Sequence, residues 1–139
     1  MGALMCGYGF TQSSPVQWDF VAKPVDGNTY ELQITATVKE GWYIYSQDLP
    51  AAAINVPTSF SFVNGSVKGR LKEEGKLEKS RDESLQIESW YFKNRVVFKG
   101  LVEVKALKEN INGSVEFQAC TGEKCLTPAR INFSVAINR

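Results

Sequence analysis

Two cysteines near the carboxyl terminus are the residues of this sequence best suited to covalent chemistry. Cys120 and Cys125 are separated by Thr-Gly-Glu-Lys and followed by Leu126-Thr127-Pro128. Four intervening residues, one of them glycine, allow the sulfurs to close into a disulfide, and the same pair could exchange electrons with another thiol. Closing so short a loop stabilises a fold by only about 2 kcal/mol in the chain-entropy treatment. The spacing alone therefore leaves two interpretations open, a structural disulfide and a redox-active cysteine pair.

The rest of the composition limits how such thiols could be activated. The chain contains no histidine, which excludes the usual serine and cysteine hydrolase systems and histidine-based zinc sites. A reactive thiolate would then need nearby cations, backbone dipoles or a carboxylate. Lys124 adjoins Cys125 and Arg130 follows on the same segment, but Glu123 opposes them. The sequence therefore does not decide in which direction the thiol pKa shifts.

A metal site is the weaker alternative for the same cysteines. The chain has only three cysteines, so a zinc site built from four thiolates is excluded. Two thiolates could bind Cu(I), a soft metal. The thioether ligands that would help stand at Met1 and Met5, outside the expected folded part. We therefore expect no metal and no dissociable cofactor.

Length and charge are typical of a single globular domain. The 139 residues carry 16 Lys+Arg against 15 Asp+Glu, a formal net charge of +1, and 43% of them are hydrophobic. This balance lacks the basic surplus that dominates nucleic-acid binding, and no phosphate-binding Walker pattern occurs. We expect one domain that binds no nucleic acid and is a monomer.

The first residues differ from the remainder. Residues 1–14 are uncharged, small and apolar, and become serine-rich just before Pro15. We interpret them as the remnant of a secretory signal, with a disordered leader as the alternative. Lipidation of Cys6 is disfavoured because Met5 stands where a small residue is expected. Export would place the domain, expected over residues 15–139, in an oxidising compartment where disulfides persist.

Hydrophobic residues alternate with a period of two from Gln17 onward, which predicts strands. Asp26-Gly27-Asn28 predicts a hairpin between residues 18–25 and 29–39. Only residues 105–110 could form a short helical turn. About seven to nine strands favour an all-β, immunoglobulin-like antiparallel β-sandwich, with a small barrel as the competing architecture. The further predicted strands are residues 42–46, 59–63, 66–71, 85–91, 95–104, 114–119 and 131–137.

Two stretches do not fit the strand pattern. Residues 47–57 are apolar but broken by Pro50 and Pro57, and residues 73–84 are densely charged. The charged stretch is predicted to be a solvated loop. At about a dozen residues it is long enough to cover a functional site as a lid.

Three segments carry more specific information than the composition does. A Gly-aromatic-Tyr-x-Tyr run begins at Gly41, and a Tyr-Phe-Lys-Asn-Arg run begins at Tyr91. An aromatic-Gln-x-Cys-x4-Cys-x-x-Pro segment spans residues 117–128. In this order they resemble the amino-terminal periplasmic domain of the DsbD family, the transmembrane thiol:disulfide interchange proteins. The resemblance covers roughly residues 18–137.

The resemblance implies an immunoglobulin-like disulfide reductase module in the periplasm. Its cysteine pair would take electrons from a thioredoxin-like donor domain and pass them to thioredoxin-fold proteins. The donor would itself be fed by a membrane electron-transfer domain, fused to this chain or working with it. Cys125 would form the mixed disulfide with the partner, and Cys120 would resolve it.

The resemblance also assigns the surroundings of the cysteines. Tyr43 and Tyr45 match aromatics beside the pair and, with Leu126 and Pro128, would contact the partner. A cap loop would lie at residues 73–82, with four residues in it: Glu73, Glu74, Leu77 and Asp82.

This sequence departs from the family at two places. Residues 73–84 contain no aromatic side chain, so Leu77 would have to shield the disulfide, or the shield is absent. The residues after Cys125 lack an aromatic and a second proline that some relatives have. The departures leave the details of the cap and of the partner surface open.

Overall fold

The computed structural model describes residues 14–105 and 110–137, and within these ranges the chain forms strands and no helix. The all-β prediction is therefore confirmed. Except for Ser14, Lys105 and Asn110, the predicted leader with Cys6 and the predicted helical turn lie outside the described residues. The strands are β1 (Val16–Asp26), β2 (Thr29–Val38), β3 (Tyr43–Tyr45), β4 (Ser59–Phe62), β5 (Gly65–Glu74), β6 (Leu77–Asp82), β7 (Ile87–Phe92), β8 (Arg95–Val104), β9 (Ile111–Phe117), β10 (Ala119–Cys120) and β11 (Ala129–Val135).

The first hairpin forms where the turn residues predict it. β1 and β2 pair antiparallel, with Phe20 opposite Ile34. Gly27 in the tight turn between them has a φ of +56°, a conformation that glycine adopts without steric cost. Along β2, Leu32, Ile34 and Ala36 are fully buried while their neighbours are not. The period of two in the sequence therefore marks the core face of this strand.

Three antiparallel sheets form the two layers of an immunoglobulin-like sandwich. One layer has the strand order β1-β2-β8-β5, and the other contains β10-β3-β7-β6 and β11-β9-β4. The last two sheets are joined because β9 continues into β10 with only Gln118 between them. The predicted sandwich is thus confirmed, but the described residues form eleven strands where about seven to nine are predicted, and several strand ends are shifted by a few residues.

Aromatic side chains fill the space between the layers. The ring of Trp18 in β1 stacks on that of Phe98 in β8, with 6.2 Å between centroids. Trp18 also packs on Phe117 of β9, at 5.2 Å between centroids, and Phe98 packs on Phe60 of β4 at 5.0 Å. Both layers therefore share one core, which extends to Ile44 and to other buried residues of the cysteine-bearing sheet.

The prediction of a loop at residues 73–84 is wrong. β5 continues to Glu74, and β6 forms the edge of the sheet that carries the cysteines. An edge strand with both faces partly in solvent accommodates charges that would be excluded from an interior strand. In β6, Lys79 lies over the ring of Trp90 at 4.4 Å from its centroid, and an Arg81 Nη1 lies 2.7 Å from Glu88 Oε2. These cross-strand contacts to β7 explain why a charged sequence is extended here.

Among the described residues, no helix is long and apolar enough to cross a bilayer.

Candidate active site

A disulfide joins Cys120, at the end of β10, to Cys125, with 2.02 Å between the Sγ atoms. Thr121 organises the turn between them. Its backbone N–H donates to the carbonyl of Lys124 at 2.7 Å, and its Oγ1 accepts from the N–H groups of Glu123 and Lys124, both at 3.1 Å. The turn therefore holds the two cysteines opposite each other across a short hairpin.

The two cysteines are buried to very different extents. Cys120 is 0% exposed, whereas Cys125 is an exposed residue. Disulfide exchange requires an attacking thiolate to reach one sulfur directly. An external thiol therefore meets Cys125 first, while Cys120 lies behind it in the fold.

Tyr45 donates a hydrogen bond to the buried sulfur. Its hydroxyl lies 3.2 Å from Cys120 Sγ, and the side chain is 2% exposed. Burial, with smaller contributions from the phenols of Tyr43 and Tyr91, raises the pKa of Tyr45 above its ordinary value. The hydroxyl thus stays protonated and remains a donor. Such a donor stabilises a thiolate at Cys120 once the disulfide opens. Tyr45 lies behind the disulfide and not on a surface open to a partner.

Tyr43 supports the turn and not the sulfur. Its hydroxyl donates to the carbonyl of Thr121 at 3.0 Å, and its ring centroid lies 4.4 Å from that of Tyr91 and 5.8 Å from that of Tyr45. The three tyrosines share one face of the sheet because Tyr45 is paired with Tyr91 across β3 and β7. Tyr91 was not among the predicted site residues, although it begins one of the three informative sequence segments.

The segment after Cys125 is presented to solvent. Leu126 is 38% exposed, and Pro128 is also exposed. The Leu126 N–H donates to the carbonyl of Ala119 at 2.9 Å, which continues the hairpin beyond the disulfide. The predicted partner-contact residues Leu126 and Pro128 are therefore open to solvent, and Tyr43 contacts the turn that joins the two cysteines.

Lys124 and Arg130, the cations nearest to Cys125 in the sequence, contact side chains other than the cysteines. Lys124 Nζ lies 5.9 Å from the ring centroid of Trp42. Arg130 Nη2 lies 4.0 Å from Glu116 Oε1, and both of these side chains are largely in solvent. Exposed pairs of this kind contribute little electrostatic energy. Among the described residues, the side-chain hydrogen bond to a cysteine sulfur comes from the hydroxyl of Tyr45.

The residues predicted to form a cap lie in strands and turns. The Glu73 carboxylate accepts from the Ser46 hydroxyl at 2.7 Å and from the Gln47 N–H at 2.6 Å. Glu74 Oε2 lies 3.5 Å from Lys99 Nζ of β8, the neighbouring strand in the same sheet. Asp82 ends β6, where the Ser84 hydroxyl donates to its carboxylate at 2.8 Å and holds the pKa of Asp82 below its ordinary value. Glu73 therefore anchors the segment that leaves β3, and Asp82 shapes the β6–β7 turn.

Leu77 is on the wrong side of the sheet to cover the disulfide. It is paired with Phe92, which is paired with Ile44, which in turn is paired with Ala119. Directly opposed residues lie on the same face of a sheet, so Leu77 is on the core face with Ala119. Cys120 follows Ala119 in β10 and therefore lies on the opposite face, together with its paired residue Tyr43. Three strand spacings, about 14 Å, separate Leu77 from β10.

Chemically, the arrangement supports thiol:disulfide exchange. Within the described ranges, no group of three or more His, Cys, Asp or Glu side chains could hold a metal ion. The disulfide itself is the reactive group that this geometry presents.

Comparison with known proteins identifies relatives of this geometry. A family model described as thiol:disulfide interchange protein DsbD, N-terminal, matches residues 11–136. Among solved structures, the N-terminal periplasmic domain of ScsB from Proteus mirabilis is similar at 16% identity and a TM-score of 0.63, covering 87% of this chain and 47% of that chain. This chain thus spans about half of the ScsB chain and shares its fold. No curated protein sequence matches the chain.

Two structures from Neisseria meningitidis are more distant. The DsbD N-terminal domain in the reduced form is 15% identical with a TM-score of 0.49, covering 86% of each chain. The complex between the DsbD N-terminal and PilB N-terminal domains is matched at 12% identity and a TM-score of 0.45, covering 83% of this chain and 80% of that chain.

Proposed function

The chain belongs to the family of N-terminal domains of the thiol:disulfide interchange protein DsbD, and we propose that it is a periplasmic disulfide reductase domain that relays electrons to thioredoxin-fold proteins. Thiol:disulfide interchange is the general chemistry of this family. The cysteine pair is its reactive group, and the chemistry uses no dissociable cofactor.

The unequal burial of the two cysteines carries the proposal. Cys125 is exposed and Cys120 is 0% exposed, which is the division needed between a sulfur that meets the partner and a sulfur that resolves the intermediate. The hydrogen bond from Tyr45 reaches only the resolving sulfur. A staple has no need of one accessible and one shielded sulfur.

Electron transfer to a partner takes two exchange steps. In the reduced domain, the Cys125 thiolate attacks one sulfur of the partner's disulfide, and the partner's other sulfur leaves as a thiolate. The Cys120 thiolate then attacks Cys125 Sγ, and the partner's remaining sulfur leaves as a second thiolate. Protons from the two domain thiols are returned through solvent to the partner. The domain ends as the Cys120–Cys125 disulfide and the partner as a dithiol, a transfer of two electrons.

The same steps in reverse would restore the reduced domain. A thioredoxin-like donor domain would supply the electrons, fed by a membrane electron-transfer domain that is fused to this chain or separate. The periplasmic location is supported by the description of the ScsB relative as a periplasmic domain. Tyr43, Leu126 and Pro128 would form the contact with the partner, and the working unit would be a monomer of residues 15–139.

Stoichiometric electron transfer tests the proposal. The reduced domain is mixed with an oxidised thioredoxin-fold protein, and free thiols are counted on each chain by alkylation and mass shift. We expect close to one partner disulfide reduced for each domain disulfide formed. The double variant Cys120→Ser/Cys125→Ser is the control and should transfer nothing. Failure of the wild type to exchange, with a reduction potential far below about −300 mV, would instead indicate a permanent staple in a binding domain.

A further inference from the structure

Gln118 stands alone between β9 and β10, where the chain passes from one sheet to the next. Both ends of its side-chain amide are bonded. Its Oε1 accepts from the Val56 N–H at 3.1 Å, and its Nε2 donates to the carbonyl of Leu126 at 3.3 Å. The amide therefore ties the connection between β3 and β4 to the residue that directly follows Cys125.

This tie acts on a segment with little other support. Residues 122–128, which precede β11, are all exposed, so they gain little from burial in the core. Leu126 is held by its N–H on Ala119 and by its carbonyl on Gln118. Ala119 and Gln118 lie one and two residues before Cys120 in the chain. Their hydrogen bonds to Leu126 therefore hold the Cys125 side of the hairpin close to the Cys120 side.

We propose that Gln118 is a positioning residue that keeps Cys125 within reach of Cys120 and so favours closure of the disulfide. In the oxidised domain the disulfide already orders Leu126, and the hydrogen bond forms without a further loss of chain entropy. In the reduced domain the same bond must itself order the segment, and therefore contributes less. Its removal should then weaken the oxidised state more than the reduced state. The inference rests on the proposed function, since it concerns how readily the same pair opens and closes.

Equilibration with glutathione tests this without any partner protein. In that reaction the two domain thiols and one oxidised glutathione give the domain disulfide and two reduced glutathione molecules. Gln118→Met keeps the side-chain length but removes both hydrogen bonds. We expect the equilibrium constant for disulfide formation to fall about fivefold, which is about 20 mV at 29.6 mV per tenfold change.

A matched control separates positioning from general stability. Gln33, also half-buried, uses its Nε2 to donate to Glu31 Oε1 at 3.3 Å on the opposite layer. Gln33→Met should leave the glutathione equilibrium within about 1.5-fold of the wild type, even if it lowers the unfolding free energy. A purely structural Gln118 would destabilise both redox states equally, and Gln118→Met would then match this control and overturn the proposal.

Two further measurements keep the test decisive. Gln118→Glu retains an acceptor for the Val56 N–H but cannot donate to Leu126 when ionised, so it should lower the constant as Gln118→Met does. A wild-type constant for Gln118→Glu beside a lowered one for Gln118→Met would contradict a role through Leu126. If neither variant folds, hydrogen exchange of the Gln118 side-chain amide in the wild type decides, because its Nε2 makes the bond to the Leu126 carbonyl. We expect this exchange to be at least about threefold slower in the oxidised than in the reduced domain, and equal rates in the two states would overturn the proposal.

Because the glutathione equilibrium needs no partner, failure of the positioning role and failure of the proposed function give different results. A wild type that equilibrates with glutathione but transfers nothing to a thioredoxin-fold protein would contradict the proposed function alone. A wild type that does transfer electrons, with unchanged equilibria in both Gln118 variants, would contradict only the positioning role.

Discussion

Reduction of the Cys120–Cys125 disulfide should cost this domain little stability. The two cysteines are five positions apart, so the disulfide closes a loop of only about six residues. In the chain-entropy treatment such a loop stabilises the folded state by about 2 kcal/mol. A redox pair must open without unfolding the domain that carries it, and a contribution of this size permits that.

The core explains why the reduced domain should stay folded. Several of its largest buried side chains belong to strands outside the cysteine-bearing sheet, among them Tyr30 and Ile34 of β2, Phe98 of β8 and Ile111 of β9. None of these contacts depends on the disulfide. For a domain of this size, a loss of about 2 kcal/mol lowers Tm by about 5–8 °C.

Urea unfolding of the oxidised and reduced domain measures the difference directly. We expect the unfolding free energy of the reduced domain to be lower by about 2 kcal/mol, with equal m-values and an unchanged far-ultraviolet circular dichroism spectrum before the transition. The variant Cys120→Ala/Cys125→Ala is the control, because its unfolding should not respond to the reductant.

A thermodynamic cycle gives an independent check on the same quantity. If the disulfide stabilises the fold by about 2 kcal/mol, the fold must stabilise the disulfide equally. The reduction potential in the folded domain should then be about 45 mV lower than in the urea-unfolded chain. Complete unfolding on reduction, or a loss above about 5 kcal/mol, would refute this reasoning and indicate a structural staple.

Three further outcomes are expected. Unfolded Tyr45 ionises near its ordinary pKa of about 10, whereas burial keeps the folded residue protonated. Its contribution to stability is therefore complete below about pH 10 and is lost as pH rises further. Urea unfolding of the oxidised domain from about pH 8 to about pH 11.5 should show this fall, and Tyr45→Phe should reduce it; parallel curves would count against the assignment. Leu77→Ala should leave the rate of disulfide reduction by glutathione within about twofold of the wild type, because Leu77 faces the core side of the sheet, and a rate about tenfold faster would restore its predicted capping role. Phe98→Ala should lose about 3–5 kcal/mol of unfolding free energy, while Leu85→Ala, at a residue 64% exposed, should change it by less than about 0.5 kcal/mol; similar losses in both would contradict the description of the core.

Most of the fold was predictable because its strands have one buried face. In β2, the alternation of Leu32, Ile34 and Ala36 with polar residues records that face directly. β6 shows no such alternation, because an edge strand has charged residues on both faces. Its pairing with β7 depends on Lys79 over Trp90 and Arg81 beside Glu88, contacts between residues that a local pattern does not connect.

The site was predictable in its residues but not in its contacts. The resemblance placed Tyr45 beside the cysteines, but the hydrogen bond to Cys120 joins residues 75 positions apart in the chain. The period of two in β3 puts Tyr43 and Tyr45 on one face without showing which strand lies alongside. The unequal burial of Cys120 and Cys125 follows from the end of β10, which the spacing of the cysteines does not reveal.

The contacts of Gln118 were likewise not predictable from the sequence. Gln118 belongs to the aromatic-Gln-x-Cys segment, but that pattern does not show what its side chain contacts. Its two hydrogen bonds exist because the chain changes sheets at this residue, between β9 and β10. No local signal marks that change, because both strands have the same period.

Capture of a mixed disulfide tests most directly whether Cys125 attacks the partner and Cys120 resolves the intermediate. Reduced Cys120→Ser and reduced Cys125→Ser are each mixed with an oxidised thioredoxin-fold protein, quenched with alkylating agent and separated without reductant. Cys120→Ser should accumulate a covalent complex through Cys125, because nothing within the domain resolves it, and Cys125→Ser should form none. A complex formed by Cys125→Ser, with none from Cys120→Ser, would contradict the account and reverse the roles of the two sulfurs.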